Sequence, residues 1–164
     1  MVTSKSKKQM NKAYNSSMNF LASRSRSRKE ILNNLYKKKF SNDIISEIIV
    51  ILENQGLIDD KKFAFEFVST REKVRPKSKF ALKYELKKKG ISDEIIEKAI
   101  CGVDEYQSAL AAINPKLATW LKLDKKKIQA KIMSFLKNRG FNWEISFATW
   151  EKVSKELKNK GGII

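Results

Sequence analysis

Apolar positions in this chain recur at spacings of three and four, the period of one helix face. Ile44, Ile45, Ile48, Ile49 and Leu52 form one such stripe, and Phe63, Ala64, Phe67 and Val68 form another. No stretch shows convincing period-two alternation, so the spacing predicts an all-α fold. A longer period overlies the short one. Residues 35–44, 86–95 and 136–145 share one pattern about fifty residues apart: a leucine, a polar or basic run, a stop, an apolar residue, a cap, an acid and an isoleucine. The stops lie at Lys39, Gly90 and Gly140, and the residues that follow them are Phe40, Ile91 and Phe141. Self-similarity at a fixed interval marks a tandem array of helical units.

End signals place the boundaries. Ser27 with Glu30 reads as a capping box, in which the hydroxyl accepts from a free helix N–H and the carboxylate reaches back to the cap, so a helix starts at Arg28. Ser41, Asp59, Ser92, Asp124 and Asn142 are further N-caps; Gly90 and Gly140 sit where a left-handed C′ residue ends a helix; Pro76 suits a first helical turn. These signals predict helices over 10–23, 28–39 and 42–54, then 60–74, 77–89 and 93–101, then 105–121, 125–139 and 143–158. The corresponding domains are 1–56 with a basic N-terminal arm, 57–102 and 103–164: three tandem three-helix repeats forming an elongated, curved array. Asn114-Pro115 is expected to interrupt the first helix of the last repeat, because an internal proline removes a hydrogen bond and clashes with the preceding turn.

Charge follows the same period. The net charge of +17 is distributed as +10 over residues 1–40, −5 over 41–60, +8 over 61–90, −4 over 91–105, +7 over 106–140 and +1 over 141–164. Positive charge therefore gathers on the first two helices of each repeat, and a polyanion is its natural complement. Lys37 to Lys39 and Lys87 to Lys89 also fit the simpler preference of cations for helix C-termini. Arg24, Arg26 and Arg28 at one helix junction, and Arg71, Arg75, Lys77 and Lys79 at the matching one, do not. Guanidinium forks bind phosphates bidentately, so these two clusters, with Lys87, Lys88 and Arg139, are the expected nucleic-acid or filament contacts. Phe63, Phe65, Phe67 and Phe80 read as core, with Phe65 off the apolar stripe.

Catalytic chemistry finds little support. The chain has no His and one Cys, which removes the commonest acid–base group, the usual partner of a Cys nucleophile, and any His/Cys metal motif or internal disulfide. Asp59-Asp60 reads as an N-cap and a first-turn acid, Cys101 as a small buried hydrophobe, and no glycine-rich phosphate loop exists. No catalytic residue, metal or cofactor is therefore expected. The absence of an apolar run near 18 residues argues against a membrane partner, and the single cysteine fits a reducing cytoplasm.

The run Asp59-Asp60-Lys61-Lys62-Phe63-Ala64, then Glu85-Leu86-Lys87-Lys88-Lys89-Gly90-Ile91, then Arg139-Gly140-Phe141 resembles the RecX family of recombinase regulators, over most of the chain. Arg24, Ser27, Glu30 and Ile31 are similar to the segment opening that family's second helix. Lys39 departs from the pattern, which has glycine there, so a different turn is expected at the first stop; the first helix of the third repeat is also less alike. The resemblance implies a monomeric, modular protein that binds the RecA filament on DNA, lies in its groove, and inhibits ATP hydrolysis and strand exchange. A groove of that kind presents protein acids and DNA phosphates together, which suits alternating charge blocks. Two other readings stand beside it: a sequence-nonspecific DNA or RNA binder held by electrostatics, and an adaptor docking another protein through Glu47 and Glu53 on an acidic third helix.

Overall fold

The computed structural model describes residues 4–159. The first three residues of the basic arm and the last five of the chain lie outside the described residues. Among the described residues the secondary structure is entirely helical: α1 Ser4–Leu21, α2 Arg28–Lys37, α3 Asn42–Asn54, α4 Asp60–Val74, α5 Lys79–Lys88, α6 Asp93–Ile100, α7 Glu105–Trp120, α8 Lys125–Asn138 and α9 Trp143–Asn159. Helix α1 begins well before the expected residue 10, because its lysine-rich first turns carry no apolar stripe to mark a start.

Two compact units account for the packing, one made of residues 1–66 and 86–96, the other of 67–85 and 97–164. In the first, α1, α2 and α3 pack on one another around Ala13, Ile31, Leu35, Ile45, Ile48, Ile49, Leu52 and Ile58, all buried. In the second, α7, α8 and α9 enclose Ala109, Ala112, Ile113, Ile128, Ile132, Leu136, Phe141, Trp150 and Val153. Each fully buried aliphatic side chain contributes about 1.5–3 kcal/mol relative to leaving it in water, so these stripes hold the short helices that propensity alone would leave marginal.

Caps fix the register. Ser27 accepts from the Glu30 N–H while Glu30 accepts from the Ser27 N–H, completing the capping box. Asp59, Asp104, Asp124 and Asn142 accept from the N–H three residues on, at 2.9, 3.0, 2.9 and 2.8 Å. At the three repeated stops the chain turns identically: Phe40, Ile91 and Phe141 donate to Leu35, Leu86 and Leu136, and Lys39, Gly90 and Gly140 donate to Tyr36, Lys87 and Lys137. This is the Schellman pair of bonds, closed through one left-handed residue. Lys39 adopts φ 62°, beside 81° at Gly90 and 87° at Gly140. The different turn expected at Lys39 is therefore not used; the lysine takes up glycine's conformation.

Four further expectations are corrected. Helix α5 begins at Lys79, because Ser78 caps it through the Ala81 N–H and Pro76 is buried ahead of it. That register turns Leu82 and Leu86 inward and leaves Phe80 74% exposed, so Phe80 is not core. Cys101 is exposed, since α6 ends at Ile100 and the apolar stripe with it. Pro115 does not interrupt α7. Its ring lies on the exposed side, where water can satisfy the freed carbonyl, while the buried Ala112 and Ile113 anchor the turn before it.

Candidate nucleic-acid interface

The α1–α2 junction belongs to the first unit and is bound into it at every charge. Arg24 pairs with Glu30 at 2.8 Å, and Lys89 reaches the same carboxylate at 3.0 Å. Burial opposes ionisation of Glu30, but hydrogen bonds from Arg24, Lys89 and the Ser27 N–H, with the nearby Lys89 charge, outweigh it and lower its pKa to about 2. Arg28 pairs with Glu53 at 2.8 Å while its N–H donates to Asp60. Burial pushes the Asp60 carboxyl up, an effect that this N–H and the Arg28 charge oppose without cancelling. Arg26 donates to the Phe20 carbonyl and the Ser23 hydroxyl and stacks on the Phe20 ring at 3.9 Å. The Ser27 hydroxyl donates to the Lys89 carbonyl, 62 residues away. A Cβ on Gly90 would lie 2.8 Å from the Lys29 Cβ. Close approach of the α5 stop to the start of α2 thus demands glycine at position 90.

The α4–α5 junction, in the second unit, repeats this joint with a different charge balance. The Ser78 N–H donates to the Arg139 carbonyl at 3.2 Å, and a Cβ on Gly140 would fall 2.6 Å from the Ser78 hydroxyl and 2.8 Å from the Ala81 Cβ. Arg71 pairs with Glu85 at 3.0 Å, and Lys77 shares that carboxylate. Burial raises the Glu85 pKa less than Lys77 and Arg71 lower it, so it stays ionised. Arg139 donates to the Pro76 carbonyl at 3.0 Å and lies over the Phe135 ring. Its pKa is lowered by burial and by repulsion from Arg75. Arg75 is exposed, and among the described residues neither Arg75 nor Arg139 has a carboxylate partner. Two guanidinium groups that repel one another without a counter-ion form a ready site for a phosphate.

Within the second unit, Arg71 and Lys77 share the Glu85 carboxylate, while Arg75 and Arg139 repel one another; within the first, Arg24 and Arg28 are paired with Glu30 and Glu53, and Arg26 is held by a carbonyl, a hydroxyl and a ring. Lys79 is drawn aside: its N–H donates to Glu105 and its ammonium to the Cys101 carbonyl. Lys87 pairs with Asp93 at 2.9 Å, and Lys88 is exposed on the last turn of α5. Sequence reading missed Glu30, Glu53 and Glu85 as the partners that absorb the arginines, and Ser78 as the cap that seats Arg139. A serine two residues after Pro76 was the available signal for that cap. Among the described residues no group of three His, Cys, Asp or Glu side chains could share a metal ion, and no helix is long and apolar enough to cross a membrane.

Comparison with known proteins accords with this architecture. Residues 13–50 match the model of the first three-helix domain of RecX, and residues 59–100 that of the second. The regulatory protein RecX of Chlorobium phaeobacteroides is 39% identical over 131 residues, which cover 80% of this chain and 86% of that protein. RecX of Prosthecochloris aestuarii is 36% identical over 80% of this chain and 86% of its own length. The crystal structure of RecX from Lactobacillus salivarius superposes with a TM-score of 0.73 at 28% identity, covering 90% of this chain and 97% of that one. Helix order, domain matches and identity over most of both partners lead to one conclusion: the chain belongs to the RecX family of regulatory proteins.

Proposed function

We propose that this protein regulates the RecA recombinase by binding the filament that RecA forms on DNA, lying in its groove and suppressing ATP hydrolysis and strand exchange. Family membership supports the regulatory role. The observation that supports the mode of contact is the α4–α5 junction, where Arg75 and Arg139 lack carboxylate partners among the described residues and Arg71 and Lys77 share one. Such a cluster has most to gain by meeting phosphate or acidic side chains. The protein acts by occupancy, without a catalytic step or cofactor, as a cytoplasmic monomer built of three modules over residues 1–56, 57–102 and 103–164. Lys87 and Lys88 add to the basic surface, as does Arg26, which like Arg139 has no carboxylate partner among the described residues, whereas Arg24 and Arg28, paired with Glu30 and Glu53, act chiefly by holding the first junction in shape.

The net charge of +17 favours one second reading, a sequence-nonspecific nucleic-acid binder. Co-sedimentation with RecA filaments and with naked duplex at physiological salt separates the two. The regulator prefers the filament. A pure phosphate binder making about six contacts binds both alike, with a log–log salt slope near −5. Equal partition between filament and duplex would overturn the regulatory reading. The adaptor reading is weakened because Glu53 is engaged with Arg28.

A further inference from the structure

Helix α1 contains no acid, and the first acid of the chain is Glu30. The helices that open the later repeats differ: α4 carries Asp60 and α7 carries Glu105 in the first turn. On α1 the early turns hold Lys7 and Lys8 instead, and the last turn holds no base. This is the reverse of what the helix dipole favours, since its positive end lies at the N-terminus. Lys8 and Lys12 add a like-charged pair one turn apart, which is also unfavourable. The arrangement is one-sided. At 100° per residue, Lys8, Lys12, Asn15 and Asn19 fall within about 60° of arc, turned away from the buried Ala13 and Ser17, and all four are exposed. Lys38, which follows α2, lays its ammonium on the Ser16 hydroxyl at 2.6 Å, one turn beyond Lys12. Lys8, Lys12 and Lys38 thus stand at steps of about 6 Å along about 12 Å of α1. None of the three has a carboxylate partner among the described residues.

We propose that this row on α1, completed by Lys38, is a contact for the phosphate backbone of double-stranded DNA. One strand of a duplex carries a charge per about 3.4 Å of axis, so about 12 Å of lysine row faces three or four phosphates. Lysine ammonium and asparagine amide groups are among the usual donors to phosphate oxygens, and such contacts read no sequence. A polyanion laid along the row turns repulsion among the lysines into attraction. No residue of the row is aromatic, so it offers no ring on which an unpaired base could stack. No large apolar side chain is exposed on α1 among the described residues, so an acidic protein would find no anchor there. Both points favour the duplex backbone. The row lies wholly within the first unit and uses none of the residues that carry the filament reading, so it goes beyond that reading.

The test uses the full chain, a labelled 20-base-pair duplex and a labelled 20-nucleotide thymidine strand, with fluorescence anisotropy followed over a potassium chloride series. The Lys8→Gln/Lys12→Gln/Lys38→Gln variant, with unchanged helical circular dichroism, should bind the duplex with a log–log salt slope shallower by about 2 to 3. At 0.1 M salt its affinity should fall roughly ten- to several-hundredfold. Lys8→Gln/Lys12→Gln, which leaves the Lys38 bond to Ser16 in place, should show about two-thirds of the change in slope. Lys152→Gln/Lys155→Gln/Lys158→Gln removes the same charge from exposed positions on α9 and should leave the slope near that of the parent. An equal effect from the α9 variant overturns the proposal, because net charge alone would then account for binding. An unchanged slope in the α1 variants overturns it too, as does a loss on the thymidine strand as large as that on the duplex. If the α1 variants keep duplex binding but no longer inhibit RecA, the row is a protein contact and the proposal is wrong. A parent that binds duplex through α1 yet leaves RecA unaffected supports the row and removes only the filament reading.

Discussion

Lys39 shows how one residue can depart from a repeated pattern without changing the backbone. Its φ of 62° is glycine's territory, and a Cβ there costs about 1 kcal/mol. Lys39 is exposed, whereas the equivalent glycines are pressed against neighbours, so only the torsional cost applies. Lys39→Gly is accordingly expected to stabilise the protein by about 0.5–1 kcal/mol, a gain readable in the urea midpoint. The glycines should rank by what a methyl group would meet. Gly56→Ala meets nothing within 4 Å and should cost about 1 kcal/mol, while Gly90→Ala and Gly140→Ala, each facing an atom nearer than 3.0 Å, should cost roughly 2–4. Similar losses at all three would contradict the close-approach account. Glu30 sets a pH dependence of known sign. Its folded pKa of about 2 lies below the ordinary 4.5, so its contribution is complete above about pH 4.5 and lost as pH falls toward 2. After allowance for solvent screening this is on the order of 2 kcal/mol at neutral pH. Asp60, pushed upward, acts in the opposite direction. Glu30→Gln should flatten the acid limb of stability measured against pH; an unaltered limb would count against the Arg24–Glu30–Lys89 network.

At the scale of elements, the two arginine-bearing junctions look alike in sequence and differ in charge balance. Caps and stops were legible because they are local: Ser27, Asp59, Asp124, Asn142, Gly90 and Gly140 each act within about five residues of their own position. Partners of the arginines were not legible, because Arg28 meets Glu53 across 25 residues and Ser27 meets Lys89 across 62. The same distance effect misplaced Phe80, whose exposure follows from a cap at Ser78 and from the tertiary burial of Leu82 and Leu86. Charge reversal at Arg24 or Arg71 places an acid against Glu30 or Glu85. Thermal melts of Arg24→Glu and Arg71→Glu should show losses of about 1–3 kcal/mol. Arg75→Glu, on an exposed residue, should melt like the parent and yet bind duplex DNA with a shallower salt slope. An unchanged slope would remove Arg75 from the interface.

For the whole molecule, buried apolar clusters hold the helices, so the fold does not depend on compensating every cation of a chain with net charge +17. Self-repulsion at +17 is relieved by a polyanion, so salt and nucleic acid should both raise the melting temperature. The order of the helices found among the described residues could be read from periodicity and caps, and the family from three short runs of residues. Which of the ten expected contact residues face outward depended on the folded arrangement. Regulation of RecA on DNA by occupancy is tested by the rate of ATP hydrolysis by RecA on single-stranded DNA, with and without this protein, together with the well-folded Arg75→Glu variant. Hydrolysis should fall markedly at near-stoichiometric or lower amounts of the parent and less with the variant. Hydrolysis that stays unchanged at saturating parent protein would contradict it.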